Sequence, residues 1–176
     1  MKPRAVPAIR DAGAEDLARL PELEAASDTL LDGVTELDGV LIRSHGLPAP
    51  AAEAELAAAL HILVAGKPPV GFARIEEVDG QAHLGQLSVH PSAAGAGLGR
   101  LLVQSALRWA QEQGYRSMTL CTFADVPFNA PFYRSCGFEP VDDLHGELRA
   151  LREHEGQLGL DALGPRVAMV RELNLQ

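Results

Sequence analysis

Cysteine is scarce in this sequence, and basic charge is scarcer than acidic. The two cysteines, Cys121 and Cys136, are too few for a disulfide framework and lack the paired spacing of a zinc finger. The six histidines are scattered without the i,i+4 pairing of a helical zinc site, so no metal is expected. Fifteen Lys and Arg stand against 24 Asp and Glu, a net charge of -9. That excludes nucleic acid or an anionic membrane as the main partner, because both attract basic surface. Long apolar runs are missing too. None approaches 18 residues, and no apolar stretch of a secretory leader follows Met1-Lys2-Pro3-Arg4. A cytoplasmic protein is expected, whose acidity suits a cationic substrate.

What is present reads as one domain over residues 1–176. A hydrophobic fraction of 47% against 22% charged is that of a globular chain with a real core rather than of disorder. Ala8–Arg10 reads as a short strand and Ala14–Ala26 as a helix, with Leu17, Leu20 and Leu23 on one face. Val34, Leu37, Val40 and Leu41 could form one more helical stripe, ended by Pro48 and Pro50. Ala52–Leu60 is helical by propensity. Three strands follow, over 61–65, 70–78 and 82–90, the last two joined by a tight Asp79-Gly80 turn. Gly85 inside the third predicts a bulge or a close backbone approach.

The strongest helical pattern spans 97–114. Leu98, Leu101, Leu102, Ala106, Trp109 and Ala110 form its expected buried stripe, and Gly114 its stop. A strand at 117–123, a short helix at 130–137, a strand at 138–141, a helix at 147–158 and a last strand at 166–173 complete the chain. The fold class is therefore α+β, with a mixed, mostly antiparallel central sheet flanked by helices. The last strand is either internal or an edge that pairs two chains into a homodimer.

The stretch "HPSAAGAGLGRLL" joins the third of those strands to the longest helix. Helix N-termini carry backbone N–H groups without intrahelical partners, together with the positive end of the dipole. Gly95, Gly97 and Gly99 would let that backbone close around an anion such as a phosphate. A loop whose glycines only turn the chain is the plainer alternative. A dinucleotide fingerprint would need a third glycine at Arg100 and an acid near Tyr115 or Arg116, and a P-loop would need a Gly-Lys-Ser/Thr run. Both patterns are missing, which disfavours a Rossmann-type oxidoreductase and leaves the pyrophosphate of coenzyme A as the ligand.

With these elements in place the sequence resembles the GCN5-related N-acetyltransferases. Two signals carry the resemblance: strand, Val89-His90-Pro91, glycine loop and long helix, and then Tyr133-Arg134-Ser135-Cys136-Gly137-Phe138. The run "DVPFNAPFYRSCGF" looks like one branch of that family. The resemblance implies acetyl-CoA bound where the fourth strand splays from the fifth. Leu87, Ser88 and Val89 would pair the pantetheine arm, and Ala94, Gly95, Ala96, Gly97, Leu98, Gly99 and Arg100 would hold the pyrophosphate. Tyr133 would be the general acid for the departing thiolate. Ala94 and Ala96 stand where the family often has basic side chains, which predicts weaker affinity. Val126 replaces the asparagine that often sits seven residues before the tyrosine, and Asn129, four before it, is the remaining candidate to hold cofactor.

The proton acceptor is less defined. Some relatives carry Glu on the fourth strand six residues before its closing Val, a position occupied here by His83, whose ordinary pKa near 6.5 suits the task. A solvent-facing hairpin residue is the other reading of His83. Cys121 stands where others carry a carboxylate on the fifth strand, and reads better as a small packed side chain. Phe123, Phe128, Phe132 and Trp109 read as packing or pocket walls. The expected activity is transfer of an acetyl group to a primary amine of a small molecule or peptide. A non-catalytic acyl-CoA sensor is the alternative.

Overall fold

A computed structural model describes residues 5–34 and 44–174. One seven-stranded sheet runs through it in the order β1-β2-β3-β4-β5-β7-β6. The strands are β1 (Ile9–Asp11), β2 (His61–Ala65), β3 (Gly71–Val78), β4 (Gln81–Val89), β5 (Ser117–Phe123), β6 (Glu139–Pro140) and β7 (Arg166–Glu172). Every neighbouring pair is antiparallel except β4 and β5. The mixed α+β sheet expected from the sequence is the one observed. β7 lies between β5 and β6, so it is internal rather than an edge for a second copy.

The helices are α1 (Ala14–Leu17), α2 (Leu20–Asp28), α3 (Glu53–Ala57), α4 (Leu98–Glu112), α5 (Ala130–Ser135), α6 (Gly146–Gln157) and α7 (Leu160–Leu163). The single helix expected over Ala14–Ala26 is broken in two. Pro21 opens α2 at its first turn, where a missing N–H and a fixed φ are tolerated but helix interior is not. Thr29–Gly33 is a 3-10 turn and Val34 is extended. The rest of the expected stripe, Leu37, Val40 and Leu41, lies outside the described residues.

Alternation along the strands sets the layers. On β2, Ile62 and Val64 join Leu20, Leu23, Leu56 and Phe72 in a cluster under α2 and α3. Leu63 and Ala65 face the other way, into the main core beneath α4. The buried stripe of α4 is Leu98, Leu102, Val103, Ala106, Leu107 and Ala110. Leu101 is 38% exposed, so Val103 and Leu107 take the place expected for it. Trp109 sits at the margin and stacks flat on His61, with ring centroids 4.5 Å apart. The β3–β4 turn has positive φ at both Asp79 and Gly80, as a tight hairpin requires. The Asp79 carboxylate then accepts the N–H groups of Glu147 and Leu148 at 2.7 and 3.0 Å, which caps α6 from across the fold.

The N-terminal corner depends on one buried carboxylate. Asp16 is 2% exposed and accepts a two-pronged bond from Arg10, at 2.7 and 2.9 Å, plus the Gly13 N–H at 2.7 Å. Arg10 also donates to the Gly66 carbonyl, tying β1, α1 and the β2–β3 turn together. The Arg10 bond outweighs burial and lowers the Asp16 pKa from 3.8 to about 2. Its stabilisation is therefore complete above about pH 4 and disappears as pH falls through 2. Asp16→Asn should cost roughly 1–3 kcal/mol at pH 7, measured by urea unfolding, because it removes a charge-assisted pair. The difference from the unaltered protein should shrink toward pH 2.

Candidate active site

The sheet opens in its middle. β4 and β5 share two parallel pairs, Ala82 with Met118 and His83 with Thr119, and then part. On its other side β4 stays paired with β3 as far as Val89 with Gly71. From Leu84 onward, the β4 edge that faces β5 is thus without a strand partner. The N–H of His90 donates back to Val70 at 2.8 Å, whereas that of Val89 points to the open side and donates to the Ser27 hydroxyl on α2 at 3.1 Å.

Gly85 is the bulge that the sequence suggested. Arg74 pairs with Gln86 and Ile75 with Leu84, leaving Gly85 as the extra residue. A bulge reverses which side chains face which layer. Before it, Ala82 and Leu84 point to the α4 core; after it, Leu87 and Val89 do. A cavity of about 900 Å³ fills the parting between the strands, lined by β3, β4, β5, α2, α6, the glycine loop and α5.

The glycine loop closes one end of this cavity. Gly95 and Gly97 have φ of +78° and +82°, the left-handed region that side chains disfavour, and Gly97 caps α4. The first intrahelical bond runs from the Leu101 N–H to the Gly97 carbonyl, so the N–H groups of Leu98, Gly99 and Arg100 precede the ladder. The first turn of α4 holds no acidic residue. Backbone donors and the helix dipole thus supply a positive end without basic side chains at positions 94 and 96.

Of the residues singled out from the sequence, His83, Leu87, Val89, Ala94, Gly95, Gly97, Leu98, Gly99, Arg100, Asn129 and Tyr133 line the cavity. Ser88 and Ala96 do not. Ser88 is buried, its hydroxyl accepting from the Gln86 amide at 3.0 Å, and Ala96 is exposed beyond the rim. Arg100 turns its guanidinium to the end of α5, donating to the Ser135 carbonyl at 3.1 Å and hydroxyl at 2.7 Å. Asn129 caps α5, and its side-chain carbonyl accepts from the Thr122 hydroxyl at 2.6 Å. Tyr133 follows one turn later, its N–H on the Asn129 carbonyl at 2.9 Å. Val126 packs with Leu31, Phe123 and Leu160.

Burial tunes the titratable groups here. Tyr133 is 8% exposed, and desolvation raises its phenol above the ordinary value, so it stays protonated. Cys121 is half-buried on the cavity wall, and desolvation followed by the Glu155 charge pushes its thiol up to about 12, which makes it no base. His83 is not the solvent-facing hairpin residue considered above. It is 4% exposed, with Nδ1 2.8 Å from the Thr119 hydroxyl. Desolvation first and the Arg74 charge second lower its pKa to about 4.

The α2–β3 wall carries polar residues that no motif in the sequence marks. Glu24, Ser27 and Asp28 line the cavity from one face of α2, and Arg74 and Glu76 from β3. Their signal was the spacing i, i+3, i+4 of polar residues beside the Leu20–Leu23 stripe. Desolvation raises Glu24 to about 7 and Asp28 to about 6. Among the described residues, no group of three or more His, Cys, Asp or Glu is placed to hold a metal, and no helix is long and apolar enough to cross a membrane.

A mixed sheet that parts at its one parallel pair, with a glycine-capped helix at the parting, defines an acyl-CoA N-acyltransferase type of fold. The acetyltransferase (GNAT) family profile matches residues 35–138, and the chain belongs to that family. It is 30% identical over 145 residues to a mycothiol acetyltransferase of Nocardiopsis dassonvillei, covering 81% of this chain and 40% of that protein. The chain thus spans less than half the length of that curated relative. Among solved structures it resembles a GCN5-related N-acetyltransferase from Rhodopseudomonas palustris, with a TM-score of 0.67 and 22% identity, covering 96% of this chain and 97% of the other. It also resembles the PaiA N-acetyltransferase of Thermoplasma acidophilum in complex with coenzyme A, at 0.64 and 16%, covering 96% and 99%.

A depressed histidine pKa gives a pH signature. Between about 4 and 6.5 the unfolded chain binds a proton that folded His83 does not, so stability falls as pH drops through that window. NMR titration should place the His83 midpoint near 4. In His83→Gln, urea midpoints at pH 7 and pH 5 should lie closer together than in the unaltered protein.

Proposed function

We propose that this chain transfers the acetyl group of acetyl-CoA to a primary amine of a small molecule or peptide by direct attack. The observation that carries this reading is the meeting, in one cavity, of the open β4 edge, the unpaired N–H groups of the glycine loop and the Tyr133 phenol. An extended amide arm of coenzyme A would pair with the β4 backbone at Leu87 and Val89, taking over the Val89 N–H that Ser27 now receives. The pyrophosphate would sit on the amides of Gly95–Arg100. Kinship with the acetyltransferase family and a fold shared with a coenzyme A complex support the assignment.

The chemistry then asks two things of the protein. As the nitrogen forms a bond to the acetyl carbon and the C–S bond breaks, the departing thiolate needs a proton. The buried Tyr133 phenol stays protonated at neutral pH and is the donor on this wall. The nitrogen must in turn lose a proton. Asn129 lines the same cavity as the N-cap residue of α5, its side chain bonded to Thr122 rather than to the helix, and would meet the cofactor beside Tyr133.

The loop without basic side chains and an Arg100 engaged by Ser135 favour a second reading, a sensor that binds acyl-CoA without turnover. Calorimetry with coenzyme A, alongside thiol release from acetyl-CoA over a panel of amines, separates the two. Binding with turnover is expected, and binding with no turnover on any amine would favour the sensor. Tyr133→Phe should lower kcat about 10-fold or more while coenzyme A affinity stays the same. Unchanged turnover would remove Tyr133 from the chemistry.

A further inference from the structure

α5 ends in a Schellman turn built by the Tyr133-Arg134-Ser135-Cys136-Gly137-Phe138 run. The Phe138 N–H returns to the Tyr133 carbonyl at 3.1 Å, and the Gly137 N–H to the Arg134 carbonyl at 2.9 Å. Gly137 holds the left-handed φ of +90° that such a turn needs. Tyr133 thus opens the closing turn and Phe138 completes it. Their rings meet edge to face with centroids 5.9 Å apart, the apolar contact that accompanies this kind of helix end. The turn therefore dictates the spacing of tyrosine, glycine and phenylalanine, and it holds Tyr133 by backbone and ring together.

These bonds leave the last two carbonyls, those of Ser135 and Cys136, to be met from outside the helix. A guanidinium meets each. Arg100, on the first turn of α4, donates to the Ser135 carbonyl at 3.1 Å and to its hydroxyl at 2.7 Å. It also lies over the Phe132 ring, 5.7 Å from the centroid, and that ring packs edge-on against Tyr133 at 5.2 Å. Arg171, on β7, donates to the Cys136 carbonyl. Its guanidinium lies against Gly137, 3.3 Å from where a Cβ would stand. Gly137 is thus required twice, for its φ and for the space that Arg171 occupies. Two cations at the C-terminal end of a six-residue helix also complement its dipole. So short a helix has little stability of its own, and its orientation depends on such contacts. The two arginines come from the two sides of the fork, since α4 follows β4 and β7 pairs with β5.

We propose that Arg171 and Arg100 clamp the end of α5 and thereby fix the Tyr133 phenol in the cavity, Arg171 carrying the larger share. Both are positioning residues. This rests on the acetyltransferase reading above, in which Tyr133 gives a proton to the departing thiolate. Arg171 outweighs Arg100 because its bond is partly buried, whereas the contacts of Arg100 with Ser135 are exposed to water. The Arg100 side chain is then engaged by α5, and only its backbone amide belongs to the glycine loop.

The test is a double-mutant cycle on kcat for acetyl-CoA with a panel of primary amines, with coenzyme A affinity and α5 amide exchange measured on every variant. Arg171→Met should lower kcat about 5-fold or more, and by no more than Tyr133→Phe does, with coenzyme A affinity unchanged. Arg100→Met should lower it less, also at unchanged affinity, because its backbone amide is kept. In the Tyr133→Phe background neither substitution should cost kcat anything further, since both act through the phenol. Exchange at the Gly137 and Phe138 amides should quicken in Arg171→Met while that of α4 stays the same. Ser135→Ala, a milder change that removes only the hydroxyl accepting from Arg100, should follow Arg100→Met and does not depend on a lost arginine being tolerated. An Arg100→Met variant that loses coenzyme A affinity at unchanged kcat makes that side chain a cofactor ligand and overturns its place in the clamp. A full loss of kcat in the Tyr133→Phe background overturns positioning through the phenol. Unchanged kcat and exchange in all the arginine and serine variants overturn the clamp and leave the acetyltransferase reading intact. Failure to bind coenzyme A, or binding without turnover of any amine, overturns that reading itself.

Discussion

The two-pair ladder between β4 and β5 is the constraint on which the rest of the site depends. A full ladder would satisfy every backbone group of β4 and leave no cavity. A missing ladder would let the two halves of the sheet drift apart. Stopping after His83 and Thr119 keeps the sheet continuous while leaving β4 donors and acceptors to be met by something else. The Gly85 bulge completes the arrangement, because it returns Leu87 and Val89 to the α4 core just where β5 departs. α2 closes the gap from above, and Ser27 takes the N–H that a strand would otherwise have used.

One physical effect, removal from water, then differentiates the groups around the cavity. It disfavours charge, so it raises the acids and lowers the base. Glu24 and Asp28 rise toward neutrality, the Tyr133 phenol and the Cys121 thiol rise beyond use as bases, and His83 falls until it is neutral. An imidazole buried in this way is a weaker base than in water, and a carboxyl buried in this way is a stronger one. The residue type suited to the chemistry is decided by burial as much as by intrinsic pKa.

Much of this was legible in the chain. The strand at 61–65 shows as a short apolar run closed by a turn and that at 117–123 in partial alternation, and Gly85 marks its own bulge because a glycine inside a good strand has few other reasons to be there. The glycine loop could be read because positive φ and unpaired N–H groups are local properties of a strand-to-helix junction. What failed was what depends on packing. Leu101 looks like a core residue by period, but α4 is rotated so that Val103 and Leu107 are covered instead. His83 looks like a hairpin side chain until β5 is placed beside it. Glu24 and Asp28 look like a solvated helix face, since nothing near them in sequence says that β3 and β4 lie beneath. Pro21 did announce the break before α2, and the leucine period on both sides obscured it.

On the proposed function, the parting of β4 and β5, with the amides of the glycine loop, receives coenzyme A. Hydrogen exchange measured with and without coenzyme A tests it where the contacts would form. Exchange should slow in two peptides, one covering Gly95–Arg100 and one covering Leu87–Val89, with little change in β1 or β2. Coenzyme A binding that leaves both peptides unchanged would contradict it.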